Sequence, residues 1–292
     1  MTLRVLITGA AGQVGQALRS SLPGGMDARF TTRAELDIGD ATQVNDYVAA
    51  FDPDLIVNAA AYTAVDKAEN DVAGAVRINT QAPRYLAEAA LRTGRTRLIH
   101  ISTDFVFDGA AYVPYPPGHP VAPLSVYGRT KADGESAVLQ LLGERALVVR
   151  TAWVYSSTGH NFFRTMLRLL RERGEVSVVD DQIGTPTAAG SLVSVLWQFA
   201  VRPDLSGVFH WSDAGVASWY DFAVAIAEEA AAVGALQRDV KVNPLDTAGY
   251  PTPAKRPRYS VLDKRSTYAA LGIRPEHWRK QLRVVMQESL RA

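Results

Sequence analysis

The sequence feature that most constrains the fold is a glycine-rich turn near the start of the chain. Residues Leu3–Thr8 form a short apolar run with strand character, and the motif TGAAGQVG at residues 8–15 follows it and opens a helical pattern. In such a strand–turn–helix unit, Gly9 permits the tight turn, Gly12 lets the backbone approach a pyrophosphate, and Gly15 allows the helix to pack on the strand. The motif predicts a nucleotide-binding α/β fold. The alternative is a tight turn that holds no ligand.

The first half of the chain repeats this strand–helix alternation. Continuous apolar strands separated by helical patterns indicate a parallel sheet that is covered on both faces. We therefore predict an α/β, doubly wound (Rossmann-type) sheet. The predicted strands are residues 3–8, 28–31, 55–59, 97–102 and 147–152, and the predicted helices are residues 12–22, 41–51, 75–92 and 125–142.

The second half is less regular, and it predicts a smaller C-terminal lobe. We assign residues 1–155 to the dinucleotide-binding lobe and residues 156–292 to a substrate-binding lobe, with parts of 188–215 returning to the first. Helices are predicted at residues 161–173, 218–233 and 281–290, loops at 114–123 and 180–187, and a proline-rich segment at 243–259.

Composition excludes several classes of protein. The 292 residues carry a formal net charge of +1, which gives no broad electrostatic case for nucleic acid or membrane partners. Cysteine is absent, so there is no disulfide scaffold, thiolate nucleophile or cysteine-bound metal. The N-terminal apolar run is too short for a signal peptide, and no segment approaches the roughly 20 apolar residues of a membrane span. We expect a cytoplasmic protein.

The end of the second predicted strand bears on cofactor choice. An acidic residue there favours NAD by binding the ribose 2′-hydroxyl, whereas arginine accommodates a 2′-phosphate. The chain has Thr32 and Arg33 at this point, with Glu35 close by. This favours NADPH and leaves NADH possible. Asp37 and Ile38 follow and are expected near the adenine.

The pair Tyr127 and Lys131 lies four residues apart at the start of a predicted helix, so the two side chains share a face. A nearby ammonium is expected to lower the pKa of the tyrosine, which can then act as a general acid on a carbonyl. Thr103 ends the fourth strand, where ligands of open α/β sheets bind, and could hold the same oxygen. His100, among apolar neighbours, is expected to be a core residue.

With these motifs, the chain resembles the extended short-chain dehydrogenase/reductase superfamily and, within it, the dTDP-4-dehydrorhamnose reductase family. The resemblance runs nearly end to end. It rests on NAAAYTAVDKAE at 58–69, STDFVF at 102–107, VYGRTK at 126–131, RTAWVY at 150–155, DDQIGTPT at 180–187 and PAKRP at 253–257.

The resemblance implies reduction of dTDP-4-dehydro-β-L-rhamnose to dTDP-β-L-rhamnose with NADPH, the last step in making this nucleotide sugar. It assigns catalysis to Thr103, Tyr127 and Lys131, and substrate binding to Thr103, Asp104 and Trp153. Asn79 matches a residue that the superfamily often uses in a proton relay. The implied cofactor contacts are Gly12, Gln13, Val14, Asp37, Ile38, Ala61, Tyr62 and Thr63, together with Tyr127 and Lys131.

Arg256 is a further candidate for the substrate diphosphate, because a planar guanidinium suits paired phosphate oxygens. Its alternative is a surface charge in a proline-rich loop. Some members of the family dimerise through a metal held by glutamates, but the matching positions are Ala17 and Gly190, which cannot bind a metal. No Mg²⁺ site is therefore expected, and the chain is predicted to be a monomer or a weak homodimer.

Particular residues disfavour three other functions. A dTDP-sugar 4,6-dehydratase needs a carboxylic acid after the aspartate, where this chain has Phe105. A C4 epimerase would retain NAD, which the Thr32–Arg33 segment disfavours. A non-catalytic NADP-binding regulatory subunit is disfavoured by the intact Thr103, Tyr127 and Lys131.

Overall fold

The computed structural model describes residues 2–236 and 239–291. The strands, in chain order, are β1 (Leu3–Thr8), β2 (Met26–Thr31), β3 (Leu55–Asn58), β4 (Arg97–Thr103), β5 (Ala146–Thr151), β6 (Val154–Tyr155), β7 (Glu175–Val179), β8 (Ile183–Gly184), β9 (Thr187–Ala188), β10 (Gly207–His210), β11 (Ala217–Ser218) and β12 (Lys241–Leu245). The α-helices are α1 (Gln13–Ser20), α2 (Ala41–Phe51), α3 (Val65–Ala68), α4 (Val72–Val76), α5 (Ala82–Arg92), α6 (Val126–Leu142), α7 (Phe162–Arg173), α8 (Ala189–Ala200), α9 (Trp219–Ala232), α10 (Arg265–Leu271) and α11 (Trp278–Ser289).

Six parallel strands form the central sheet, in the order β10-β5-β4-β3-β1-β2. Every residue of β3 and β5 is buried, because apolar clusters cover the sheet on both faces. The predicted doubly wound α/β fold is confirmed. The chain passes from β1 to β2 on one side and then to β3 on the other, so the strand order reverses between β1 and β3. A ligand crevice is expected at the carboxyl ends of these two strands.

Side-chain caps begin the helices that face this crevice. Ser125 accepts a hydrogen bond from the backbone N–H of Gly128 at the start of α6, and Asp40 accepts from Thr42 and Gln43 at the start of α2. These oxygens satisfy N–H groups that have no partner within the helix. At α9, Ser218 and Asp221 bond each other's backbone in a capping box. Local sequence therefore sets where these helices begin.

The helical segment predicted over residues 75–92 is present, begins at Val72, and contains a π-helical turn that was not predicted. A π-helical turn, Arg77–Gln81, separates α4 from α5. Pro83 has no N–H to donate to the carbonyl of Asn79 four residues earlier, and its ring crowds that carbonyl. The chain widens there instead, with the N–H of Ala82 bonding the carbonyl of Arg77. Asn79 is thereby placed beside α6.

The second lobe has its own core between α7, α9 and α11. The predicted loop at 180–187 contains the short strands β8 and β9, and the proline-rich segment contributes β12, which pairs in parallel with β7. Pro244 lies within β12, an edge strand, where a missing N–H is tolerated. Helix α8 packs on α1, and β10 extends the central sheet, while the lobe boundary after residue 155 stays a prediction.

Smaller differences concern the ends of the elements. Strand β2 begins two residues before its predicted start, β3 ends one residue early, β4 ends one residue late, and β5 begins and ends one residue early. The helices predicted at 161–173, 218–233 and 281–290 are present as α7, α9 and α11. Among the described residues, no helix is both long and apolar enough to cross a membrane.

Replacing Gly15 with Ala should destabilise the nucleotide-binding lobe. A Cβ on Gly15 would lie 2.2 Å from the carbonyl oxygen of Gly9 and 2.7 Å from the Cα of Ala10, both of them backbone atoms that cannot turn aside. Helix α1 must then move away from the turn, and we expect a loss of about 1–3 kcal/mol in the free energy of unfolding. Chemical denaturation measures it. Gly24→Ala is the matched control, since nothing lies within 4 Å of its added Cβ.

Candidate active site

The glycine turn forms one wall of the crevice. Gly9 has a φ of +76°, and the N–H of Gly12 bonds its carbonyl at 3.0 Å, which closes the turn. Gly9 is pressed against the segment after β3, where an added Cβ would lie 2.6 Å from the nitrogen of Ala60. The Cβ position of Gly12 meets only the Gly9 carbonyl oxygen, at 3.4 Å. This turn can therefore accept a diphosphate at the N-terminus of α1.

Gln13 and Val14, the first residues of α1, differ in their surroundings. Val14 is partly buried against the core beneath the sheet. The side-chain oxygen of Gln13 accepts hydrogen bonds from Ser156 and Asn161, both at 2.9 Å. Gln13 thus joins the glycine turn to the start of the second lobe.

After the end of β2, the Glu35 side chain is hydrogen-bonded to Thr32, at the place where the ribose of a dinucleotide would approach. Its carboxylate accepts from the N–H of Thr32 at 2.7 Å and from the Thr32 hydroxyl at 2.8 Å. Arg33 is 79% exposed, and its Nε makes a loose ion pair with Asp37 Oδ2 at 3.7 Å. The same oxygen bonds Nη2 of Arg77 more closely, at 2.7 Å. Ile38, by contrast, is buried in the core. Arg33 is therefore the cation at this strand end that is most open to an incoming phosphate.

The segment Ala61–Tyr62–Thr63 follows β3 and is held in place by Asn79. The Asn79 side chain accepts from the N–H of Tyr62 at 2.8 Å and donates to the Tyr62 carbonyl at 3.1 Å. It also donates to the Thr130 hydroxyl on α6, at 3.2 Å. The Asn79 amide thus ties the segment after β3 to α6.

Thr103 and Tyr127 meet at the tip of β4. The Thr103 side chain lies close enough to the Tyr127 hydroxyl to lower its pKa, and the Tyr127 ring stands edge-on to Phe105 with centroids 5.6 Å apart. Thr103 also donates to Asp104 Oδ1 at 3.1 Å. Asp104 is buried, and its Oδ2 has no hydrogen-bond partner. Burial raises the pKa of Asp104 to about 6, although the side chains of Ser260 and Thr103 act to lower it.

The expectation that Lys131 lowers the pKa of Tyr127 was wrong for this structure. The Lys131 Nζ donates to the carbonyl of Ile101 at 2.7 Å and lies 3.3 Å from Nε2 of His100, and it is not among the groups that shift Tyr127. Burial raises the pKa of Tyr127 to about 12, and Asp104 adds to the rise. The phenol therefore keeps its proton at neutral pH, as a proton donor must.

Two stacked tryptophans line the crevice on the side of the second lobe. The rings of Trp153 and Trp219 are nearly parallel, with centroids 3.6 Å apart. Trp153 has a φ of +48°, a conformation that costs a bulky residue energy and persists only where the surroundings impose it. With Gln13, Thr63 and Asn161 they line a cavity of about 430 Å³. This cavity connects the glycine turn to the second lobe.

Arg256 lies at the junction of the two lobes but is not free. Its guanidinium forms a two-pronged ion pair with Asp66 on α3, at 2.7 and 3.0 Å. The binding of Arg256 to a diphosphate therefore stays a prediction, and the diphosphate would have to displace the Asp66 carboxylate.

The positions matched to the family's metal ligands carry no ligating side chain. Ala17 on α1 packs against the core, and Gly190 on α8 is exposed. No cluster of three or more histidine, cysteine or acidic side chains that could hold a metal occurs in residues 2–236 and 239–291.

Sequence reasoning missed Trp219 and Ser260. Both come from the second lobe, about 115 and 155 residues from the tip of β4, so no local motif joins them to it. Trp219 is the first residue of α9, directly after the N-cap Ser218, and this helix start was the one available signal. Nothing in the proline-rich segment around Ser260 indicates its contact with Asp104.

Comparisons with known proteins identify the family to which this chain belongs. The RmlD substrate binding domain matches residues 3–291. A dTDP-4-dehydrorhamnose reductase of Aggregatibacter actinomycetemcomitans is 42% identical over 96% of this chain and 97% of its own. A probable dTDP-4,6-dihydroxy-2-methyloxan-3-one 4-ketoreductase of Streptomyces antibioticus is 41% identical over 99% and 97%. The structure of the Bacillus anthracis dTDP-4-dehydrorhamnose reductase in complex with NADP is 36% identical, with a TM-score of 0.93 over 99% of this chain and 100% of that one. The chain belongs to the family of the dTDP-4-dehydrorhamnose reductases.

Proposed function

We propose that this chain reduces the C4 ketone of dTDP-4-dehydro-β-L-rhamnose with NADPH and forms dTDP-β-L-rhamnose. The observation that carries the proposal is the pair of neighbouring side chains Thr103 and Tyr127 at the tip of β4, with the buried Lys131 one helical turn beyond. Two hydroxyls that converge at a strand tip can together bind one carbonyl oxygen. Full-length similarity to reductases of this sugar supports the choice of substrate.

NADPH, when bound, supplies the hydride that goes to the carbonyl carbon. Tyr127 donates its proton to the carbonyl oxygen, and Thr103 holds that oxygen in line. Because burial keeps the Tyr127 phenol protonated, the residue is ready to act as an acid in the direction of reduction. Phe105 packs on the ring and offers no acid for a dehydration.

The glycine turn and the end of β2 fit the cofactor. Gly9 and Gly12 leave the N-terminus of α1 open to a diphosphate, and the exposed Arg33 can reach a 2′-phosphate. The Glu35 carboxylate already accepts two hydrogen bonds from Thr32. A ribose 2′-hydroxyl, as NADH carries, would have to compete with Thr32 for this carboxylate. We therefore assign NADPH as the preferred cofactor, with NADH as the weaker one.

The sugar is expected to lie between Asp104 and the tryptophan stack. The Oδ2 atom of Asp104 can accept a hydrogen bond from a sugar hydroxyl, which would give this buried oxygen the partner that it lacks. Trp153 offers an apolar face on the opposite side, at the cavity. This division, with the cofactor on residues 1–155 and the sugar also touching residues 156–292, is part of the proposal.

The loss of NADPH absorbance after addition of the keto-sugar tests the proposal. We expect consumption equal to the sugar supplied, and slower consumption with NADH. The relative that reduces another dTDP-linked ketone favours one second candidate, a different sugar at the same site. The two keto-sugars are therefore compared by kcat/KM. No consumption with either would reject the reductase and favour a non-catalytic NADP-binding subunit.

A further inference from the structure

A buried chain of hydrogen bonds runs beneath the proposed active site and ends at Lys131. Its members are Thr8, Asn58, His100 and Lys131, each at most 2% exposed. Thr8 and Asn58 end the neighbouring strands β1 and β3, His100 lies in β4, and Lys131 is on α6. The chain therefore links the strand that carries the glycine turn to the proposed catalytic helix.

The orientation of the Asn58 amide is settled by its neighbours. Its oxygen accepts from the Thr8 hydroxyl at 2.7 Å and from the backbone N–H of Ala60 at 3.2 Å. Because a backbone N–H can only donate, the oxygen must lie on this side. The amide nitrogen of Asn58 then donates to Nδ1 of His100, 3.0 Å away.

This orientation selects the tautomer of His100. Since Nδ1 accepts from Asn58, the single hydrogen of a neutral ring must be on Nε2. Burial, with a smaller contribution from the charge of Lys131, lowers the pKa of His100 well below its usual value, so the ring is neutral. The Nε2–H group therefore points at the Lys131 Nζ, 3.3 Å away.

An N–H that faces Lys131 favours the uncharged amine. An ammonium has only donors and cannot accept from Nε2–H, whereas a neutral amine has a lone pair that can. Glu135 on α6 opposes this effect, but Arg150 on β5 already pairs with it at 2.7 Å. Two other residues of this region add no charge near Lys131: Asn58 at the end of β3 is an amide, and Tyr127, one turn earlier on α6, is a neutral phenol. Burial lowers the pKa of Lys131 to about 8, in the same direction as the contact with His100.

We propose that Asn58 and His100 are positioning residues that weaken the hold of Lys131 on its proton, because together they turn the Nε2–H of His100 toward the Lys131 Nζ. This inference rests on the proposed function.

The titration of Lys131 by NMR, in ligand-free protein with isotope-labelled lysine, tests the inference without substrate. The Lys131→Met spectrum identifies the signal. In wild type we expect a midpoint of about 8. In His100→Gln the amide can turn its oxygen to the ammonium, and the midpoint should rise by about one pH unit, the size of one hydrogen bond. In Asn58→Asp, a carboxylate oxygen can accept a hydrogen bond from Nδ1 of His100, so the ring hydrogen moves from Nε2 to Nδ1. The Nε2 lone pair can then accept from the Lys131 ammonium, and the Lys131 midpoint should rise in this variant too.

Two controls separate this effect from general damage to the fold. His210→Gln makes the same change at the other fully buried histidine of the sheet and should leave the Lys131 midpoint in place. Lys264, whose burial lowers its pKa to about 8, should keep its midpoint in every variant. An unchanged Lys131 midpoint in folded His100→Gln and Asn58→Asp proteins would overturn the proposal.

The pH dependence of kcat/KM tests whether this control of Lys131 matters for activity. We expect activity to fall on the basic side as Lys131 loses its proton, and this limb to move upward in both variants, because their Lys131 keeps its proton to a higher pH. A limb that stays in place although the NMR midpoint moves would contradict the role in turnover. If the wild type consumes no NADPH at all, the proposed function fails, whereas the control of Lys131 protonation is still decided by NMR.

Discussion

Replacement of Tyr127 by Phe is expected to lower kcat for the nucleotide-sugar ketone by about 10²- to 10⁴-fold, the usual contribution of a positioned general acid. The substitution removes only the hydroxyl, so the edge-on contact with Phe105 is kept. NADPH affinity should change little, because the glycine turn and the end of β2 are untouched. Steady-state kinetics, with NADPH affinity from fluorescence titration, measure both.

Tyr85→Phe is the matched control for this variant. Tyr85 lies on α5 and packs against the apolar core that α2, α5 and α6 share. It should retain wild-type kinetics. Turnover by Tyr127→Phe at the wild-type rate would remove Tyr127 from the mechanism, and loss of NADPH binding in that variant would mean that the hydroxyl serves the cofactor instead.

Replacement of Glu135 by Leu should cost about 3–5 kcal/mol in the free energy of unfolding, because it leaves a buried charge without its partner. Glu135 on α6 and Arg150 on β5 form a pair at 2.7 Å, with side chains only 4% and 5% exposed. Arg150 has one further close acceptor, the carbonyl of Pro117 at 3.1 Å, which carries no full charge. Denaturant titration of the single variant measures the loss.

The double variant Glu135→Leu/Arg150→Met distinguishes loss of the charge partner from poor packing. Removal of both charges should recover most of the lost stability, since an apolar pair of similar volume can replace a buried ion pair. If the double variant is less stable than Glu135→Leu, packing is the cause and the explanation by charge is wrong. The exposed pair Arg168–Glu172 is the control, where Glu172→Leu should cost less than about 1 kcal/mol.

Features that depend on neighbours in sequence could be predicted. The turn at Gly9, the cap at Ser125 and the four-residue spacing of Tyr127 and Lys131 each act over one or two turns of chain. The parallel sheet could be predicted as well, because strands buried on both faces are continuously apolar. The π-helical turn had a local cause in Pro83, but a missing N–H indicates only a break and not the widened turn that repairs it.

Features that depend on distant segments could not be predicted. Ser260 reaches Asp104 and Trp219 stacks on Trp153 only because the second lobe folds over the tip of β4. Arg256 was a candidate for binding the diphosphate, and its ion pair with Asp66 on α3 could not be foreseen. The lobe boundary could not be predicted precisely for the same reason, since β10 joins the sheet from beyond residue 200.

The glycine turn, the helix starts, the alternation of strand and helix, and the residue types available for chemistry were determined by sequence alone, because each rests on backbone sterics or on periodicity within one element. Protonation was decided only by the tertiary structure. Tyr127 keeps its proton and Lys131 faces the Nε2–H of His100 because strands from three parts of the chain exclude water and orient the Asn58 amide. Burial and hydrogen-bond polarity belong to the packed molecule, and a spacing of four residues carries no information about either.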